Sequence, residues 1–378
     1  MHVKTGLAGC FFRAVCSIRS AGRDKIKVLC AGEVMRKIKQ PVVVSEETRE
    51  FHRRALVVDL HTDSLMYARI LGLDLSKRHR PPRGLSNWKL HADVPKLKEG
   101  GVDAVFFGIV AHPWPRKAYS RALRGIDYAR YVLDKNREDL VFAAAPADIE
   151  KAHETGKVAA LLGVEGMHML GGRVEKIAEF YRLGVRYMTM AHFTSNRFAV
   201  SSADSTRGYV ELSALGLEVV EVMNELGMMT DVSHTHTDVI AEVCGLSSQP
   251  VIVSHGAAAA LRPTFRNLTD EDTKNVARTG GVIGLMYSDE WLAQRGSKPH
   301  LSVIVDHADH IKGLVGADHL ALGSDWDGLI TTPDGMRDAT DLPALTQLFF
   351  DRGYSADEVE KILGLNFMRV FRQVTGGR

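Results

Sequence analysis

The sequence predicts a single (β/α)8 TIM-type barrel preceded by a flexible N-terminal extension. Three observations carry this. From Ser45 onward, short β-branched runs alternate with amphipathic stretches; eight such runs can be proposed; and six of them finish on a histidine or a carboxylate. The chain of 378 residues exceeds the usual domain size, but barrels of this class reach such lengths as one unit with insertions.

The predicted strands are 55–61, 102–110, 158–165, 186–192, 228–234, 250–255, 281–288 and 319–325. Most are nearly continuous apolar runs, as parallel strands covered on both faces require. Helical spacing lies between them, in Val174, Ile177, Phe180 and Tyr181 and again in Leu212, Leu215, Val219, Met223 and Leu226. Gly184 and Gly227 follow these two stretches, where a left-handed cap is wanted before the next strand. Residues 72–95, with Arg80, Pro81, Pro82, Arg83 and Gly84, read as a long loop after the first strand, placed over the catalytic face. The fold assigns residues 45–378 to one barrel domain.

Residues 1–44 read differently. They carry Lys4, Arg13, Arg19, Arg23, Lys25, Lys27, Arg36, Lys37 and Lys39 against only Asp24 and Glu33, a basic extension expected to be poorly ordered. Its apolar stretch from Leu7 to Phe12 is short for a secretory core and is interrupted by Arg13. A targeting peptide and an upstream start, with Met35 as the working start, are the two readings of it.

Composition narrows the function classes. With 45% hydrophobic and 25% charged residues, the chain has the balance of a globular protein, and 48 basic against 46 acidic residues leave a net charge of +2. That charge offers no field for nucleic acid or an anionic membrane, so a small-molecule partner is expected. Of four cysteines, Cys10, Cys16 and Cys30 lie in the first 30 residues and only Cys244 in the rest, which gives no disulfide framework and fits a cytoplasmic location. No apolar run reaches the length of a membrane span, and the C-terminal residues lack a lipid-anchor signal, so no membrane anchor is expected. Homodimerisation is allowed by this reading, but no residue specifies it.

The strand-end residues are His61, Glu165, His192, His234, His255 and Asp325. Barrel active sites are assembled at the C-terminal ends of different strands, so these side chains should converge. In Asp59-Leu60-His61-Thr62-Asp63, alternation puts His61 and Asp63 on one side, where imidazole and carboxylate can chelate a cation. The donors suit zinc, with iron, manganese and cobalt as competitors. Leu162-Gly163-Val164-Glu165 ends an apolar strand on a glutamate whose charge needs a partner, and one carboxylate can bridge two cations. Asp231-Val232-Ser233-His234 and Val253-Ser254-His255 each deliver a terminal histidine. His192 suits either a ligand or a group that polarises a substrate carbonyl. Asp325 is the candidate for proton transfer, whereas Asp327 reads as an outward loop or cap residue. The ends of the second and seventh strands, Val110 and Ser288, supply nothing, although His112 and Tyr287 are near. His168, His236, His307 and His310 read as loop, packing or surface positions.

Taken in order, these segments, with Arg266-Asn267 and Gly323-Ser324-Asp325-Trp326-Asp327-Gly328, give a chain that resembles the renal or membrane dipeptidase family (peptidase family M19) of amidohydrolase-like barrels from about Glu47 onward. The resemblance implies two zinc ions per chain: His61 and Asp63 on one, His234 and His255 on the other, and Glu165 bridging. It implies that His192 steadies the oxyanion, that Asp325 shuttles the proton, that Arg266 binds the C-terminal carboxylate of a dipeptide, and that the nucleophile is a metal-bridging hydroxide. Dipeptides, including those with a C-terminal D-residue, are the implied substrates. A hydrolase of another amide, lactone or ester on the same site is the alternative, and a scaffold without activity would be expected to have lost ligands. Met167 and the Phe193-Thr194-Ser195-Asn196-Arg197 segment depart from the family pattern.

Overall fold

The computed structural model describes residues 41–80, 90–111, 117–204 and 209–376. The basic extension up to residue 40, His112 and the 81–84 segment lie outside the described residues.

Nine strands form among these residues: β1 (Val58–Thr62), β2 (Ala104–Ile109), β3 (Leu140–Phe142), β4 (Val158–Val164), β5 (Val185–Thr189), β6 (Met229–Asp231), β7 (Ile252–Gly256), β8 (Val282–Leu285) and β9 (Leu320–Leu322). All pair in parallel, in the order β2-β1-β9-β8-β7-β6-β5-β4, and β2 pairs with β4 to close the ring. Every predicted strand is therefore present in a closed barrel. β3 was not predicted. It adds to the first residues of β4 (Leu140↔Val158 to Phe142↔Ala160), and β5 takes over from Leu162↔Val185. Its three residues, two of them partly exposed, carry too little apolar signal to stand out.

Several strands start later or stop earlier than predicted. The first begins at Val58 because a helix occupies Glu46–Arg54, capped by the Ser45 hydroxyl accepting from the Thr48 amide. The expected 72–95 loop is flanked by helices Ser64–Leu71 and Val94–Glu99. Gly227 caps helix Ala214–Leu226 in a left-handed conformation, as the sequence required.

Two apolar layers hold the barrel. Val105, Phe107 and Ile109 of β2 face outward to helix residues such as Ala122 and Ile126, whereas Ala104 and Phe106 face inward. The inner cluster is sealed by helix Asn366–Thr375, whose Phe367 and Phe371 rings stack 5.4 Å apart, Phe367 lying edge-on to Phe106 at 5.5 Å. Its polar residues tie it to strand beginnings: Asn366 donates to the Ala317 and Leu320 carbonyls, and Arg369 to Gly280 and Asp318. The opposite end is left for chemistry. Among the described residues, no helix is long and apolar enough to cross a membrane.

Phe371→Ala should cost about 3–5 kcal/mol of stability by denaturant unfolding. A loss below about 1 kcal/mol would show that this helix does not seal the interior.

Candidate metal centre

Glu165, one residue past β4, sits at the middle of a ring of imidazoles. Its Oε1 lies 3.1 Å from His234 Nε2, 3.5 Å from His255 Nε2 and 3.8 Å from His61 Nε2, and its Oε2 lies 3.6 Å from His192 Nε2. Asp63 Oδ1 is 3.6 Å from His61 Nε2. Donor atoms fall into three overlapping groups, each within 4.8 Å: His61, Glu165 and His255; Glu165, His192 and His234; His61, Asp63 and Asp325. The seven residues predicted at strand ends or just beyond are thus gathered at one end of the barrel.

They arrive there by less regular backbone than strand alternation implies. The β1–β2 register shifts between Asp59 and Thr62, and the β7–β8 register between Val253 and Gly256, each irregularity spanning a histidine. Such bulges re-aim side chains. As a result Leu60 joins the inner cluster while its neighbour His61 also reaches inward, to Tyr187. His192, His234 and Asp325 lie three residues beyond the last paired residues of their strands, and His234 and Asp325 adopt left-handed backbone (φ 59° and 60°). Hydrogen bonds hold this geometry. The Ser201 hydroxyl donates to the His192 carbonyl, the Ser202 amide to the His234 carbonyl at 2.8 Å, and the Asp325 amide to the His61 carbonyl at 3.1 Å.

Asp327 corrects the sequence reading. Far from facing outward, it is buried, also left-handed, and accepts from the His91 and Ala92 amides and from the Ser64 hydroxyl at 2.5 Å. It straps the chain after β1 to the chain after β9. The other histidines set aside are structural: His236 caps helix Thr237–Leu246, His307 accepts from the Ala258 amide and bonds the Leu292 carbonyl, and His310 pairs with Asp270. His168 bonds the Ala111 carbonyl, and Tyr287 packs on Trp326.

Gly108 of β2 explains why that strand contributes no functional side chain. A Cβ there would lie 2.7 Å from Asp63 Oδ1 and 2.9 Å from His61 Cε1. Its bare face is the room the β1 pair occupies, and a glycine inside an apolar strand was the available signal.

Burial sets the electrostatics. It pushes the Glu165 carboxyl up to about 8, and those of Asp63 and Asp325 up to about 7. It pushes His192 down to about 3 and His234 and His255 well below the usual range, with the Arg266 charge adding to the effect on all three. Arg266 is itself buried, and its Nη2 donates to the His255 carbonyl at 3.0 Å. The residues fit a cation. Buried His61 Nε2 and Asp63 Oδ1 have no hydrogen-bond partner, and two imidazole Nε2 atoms, of His234 and His255, face each other at 3.1 Å with a carboxylate beside them. Nitrogen and oxygen donors of this kind bind zinc or a similar divalent ion.

Comparison with known proteins agrees. A family model described as membrane dipeptidase (peptidase family M19) matches residues 45–376. The dipeptidase tcpJ of Claviceps purpurea is 31% identical over 328 residues, covering 84% of this chain and 76% of that protein. An uncharacterized dipeptidase, C965.12, of Schizosaccharomyces pombe is 30% identical over 352 residues, covering 88% and 83%. A metallo peptidase from Rhodobacter sphaeroides, solved with a phosphinate mimic of the dipeptide L-Ala-D-Ala, superimposes with a TM-score of 0.76 at 25% identity, covering 85% of this chain and 99% of that one.

A pH dependence follows for the metal-stripped protein. Its raised carboxyl groups bind protons more tightly folded than unfolded, so their stabilisation is complete below about pH 4 and is lost as pH rises through the folded values of about 7 and 8. The lowered histidines act oppositely, but only below their ordinary range near pH 6.5. The melting midpoint of stripped protein should therefore fall between about pH 6.5 and 8.5, and saturating zinc should abolish the fall. A midpoint that holds level or rises without metal would contradict the assignment.

Proposed function

The chain belongs to the membrane dipeptidase family, peptidase family M19, and from that premise we propose that it is a zinc-dependent dipeptidase cleaving dipeptides that end in a free carboxylate. The observation that carries this reading is the buried Glu165 carboxylate, common to two of the three donor groups. In it, His61 and Asp63 would hold one zinc, His234 and His255 would hold the second, and Glu165 would serve both. Bound zinc lowers the pKa of water from about 15.7 towards about 7 and so makes a nucleophile available near neutral pH.

The remaining steps belong to the protein. Burial keeps the His192 imidazole neutral, and in the tautomer with its hydrogen on Nε2 it donates to the oxygen of the scissile carbonyl as charge develops there. Asp325, whose carboxyl is pushed up to about 7, takes the proton from the attacking water and delivers it to the departing amine. Arg266 fixes the substrate's register. Its guanidinium is buried beside the site, where a carboxylate receives it bidentately, and this selects for a free C-terminus. Dipeptides with a C-terminal D-residue are included, supported by the L-Ala-D-Ala mimic held by the Rhodobacter sphaeroides relative. A cytoplasmic location belongs to this reading, in keeping with Cys244, half-buried and the one cysteine among the described residues, being free.

Metal analysis of zinc-supplemented, dialysed protein should give about two ions per chain. Against a dipeptide panel, Asp325→Asn should lower kcat by about 10²–10⁴-fold, and Glu165→Gln should lose metal as well as activity. Metal-free, well-folded protein after supplementation would reject the reading. Arg266→Ala should raise KM for free dipeptides by about 10–100-fold and leave carboxyl-amidated analogues unaffected. Equal losses on both would reject its role, and turnover confined to lactones or esters would favour a different hydrolase on the same centre.

A further inference from the structure

The loop after β5 sets a hydrocarbon ring against two of the site histidines. The Phe193 ring lies 4.8 Å, centroid to centroid, from both His192 and His234, meeting the second edge to face at 79°. Those two imidazoles are 4.7 Å apart, so the three rings form one cluster at the mouth of the barrel. Phe193 is 48% exposed, whereas Phe198 of the same loop is fully buried. Hydrogen bonds brace the loop around it. Asn196 Nδ2 donates to the Met190 carbonyl at 2.8 Å, Asn196 Oδ1 accepts from the Phe198 amide at 2.8 Å, and the Ser195 hydroxyl accepts from the Ser201 amide at 3.0 Å. The ring is therefore a preformed wall, and a ligand that rests on it has little loop ordering to offset.

Arg266 decides which part of a substrate meets that wall. His234 and Arg266 line one cavity of about 240 Å³, together with Thr235, Thr264 and Phe265. A dipeptide with its carboxylate on Arg266 and its scissile bond at the ligand ring has its C-terminal residue between the two, alongside His234. The polar ends of that residue are then engaged, and its side chain is left to the surrounding surface. His234 is common to the cavity and to the Phe193 contact, so the surface on that side is the half-exposed phenyl ring. Such a ring gains by covering a carbon side chain and excluding water from both, and a glycine offers it nothing to cover.

We propose that Phe193 is a specificity-determining residue whose exposed face receives the side chain of the C-terminal residue, so that dipeptides ending in a sizeable apolar residue are preferred. This deepens the dipeptidase reading given above and rests on it. Phe193 opens the segment in which the chain departs from the family pattern.

The test compares kcat/KM for Gly-Leu, in whichever configuration of the leucine the wild-type protein prefers, with kcat/KM for Gly-Gly, using zinc-supplemented full-length protein. Taking the ratio within each protein cancels a general loss of activity, which is all that a merely structural Phe193 would produce. Wild-type protein should favour Gly-Leu by about 10–100-fold, with Gly-Ala between the two. Phe193→Ala should reduce the preference to about threefold or less, chiefly through KM, and Phe193→Leu should restore most of it. A preference in Phe193→Ala within about twofold of wild type would overturn the proposal. So would a loss that falls on Leu-Gly and spares Gly-Leu, because the ring would then face the other residue. Should Phe193→Ala fail to fold, a wild-type kcat/KM that stays level from Gly-Gly through Gly-Ala to Gly-Leu would overturn it instead. Wild-type protein that cleaves none of these dipeptides would overturn the dipeptidase reading and this proposal with it.

Discussion

Much of this molecule is organised around one requirement: the charge of Glu165, closed off from water at the end of a barrel strand, has to be answered from within the protein. Removing an ionised carboxylate from water costs several kcal/mol unless a compensating charge is present. Among the described residues no lysine or arginine pairs with it; four imidazoles face it instead. A neutral imidazole can offer a carboxylate a hydrogen bond, but it supplies positive charge only by being protonated or by sharing a cation with it. Burial makes protonation of His192, His234 and His255 unfavourable, so the arrangement favours the cation. Arg266, also buried and close enough to depress these histidines, adds positive potential without occupying the centre.

That requirement reaches into the backbone. His234, Asp325 and Asp327 hold a left-handed conformation that costs a side-chain-bearing residue on the order of 1–3 kcal/mol, and they are held by the loops they join. The Asp327 strap and the Ser201 and Ser202 contacts are the means. They confine strain to the mouth of the barrel; at the sealed end, with its stacked phenylalanines, no described residue other than glycine has a left-handed backbone.

The sequence made the chemistry legible because the side chains that matter interrupt apolar runs: a glutamate after Leu162-Gly163-Val164 or a histidine after Val251-Ile252-Val253-Ser254 is conspicuous. Eight strands and the converging residues could be read in that way. What could not be read depends on backbone geometry and on distant neighbours. The bulges at His61 and His255 leave no mark in a pattern of period two, and β3 is too short and too exposed to register. Asp327 looked like a loop residue because its partners His91 and Ser64 are more than 230 positions away in sequence. Asp231 was visible as a letter of a motif, but its place beneath the ligands, and that of Tyr187, needed the closed barrel.

The bare face of Gly108 bears on how such a centre can be altered. Because the β1 pair fills the volume that a β2 side chain would need, that strand is closed to new function by single substitution. A thiolate or amine grafted there meets His61 and Asp63 before it meets a substrate. Redesign toward another metal would have to exchange material between the first two strands in one step, or work from the loops after β5 and β9, where Leu329 stands exposed and the half-exposed Phe193 ring packs 4.8 Å from both His192 and His234.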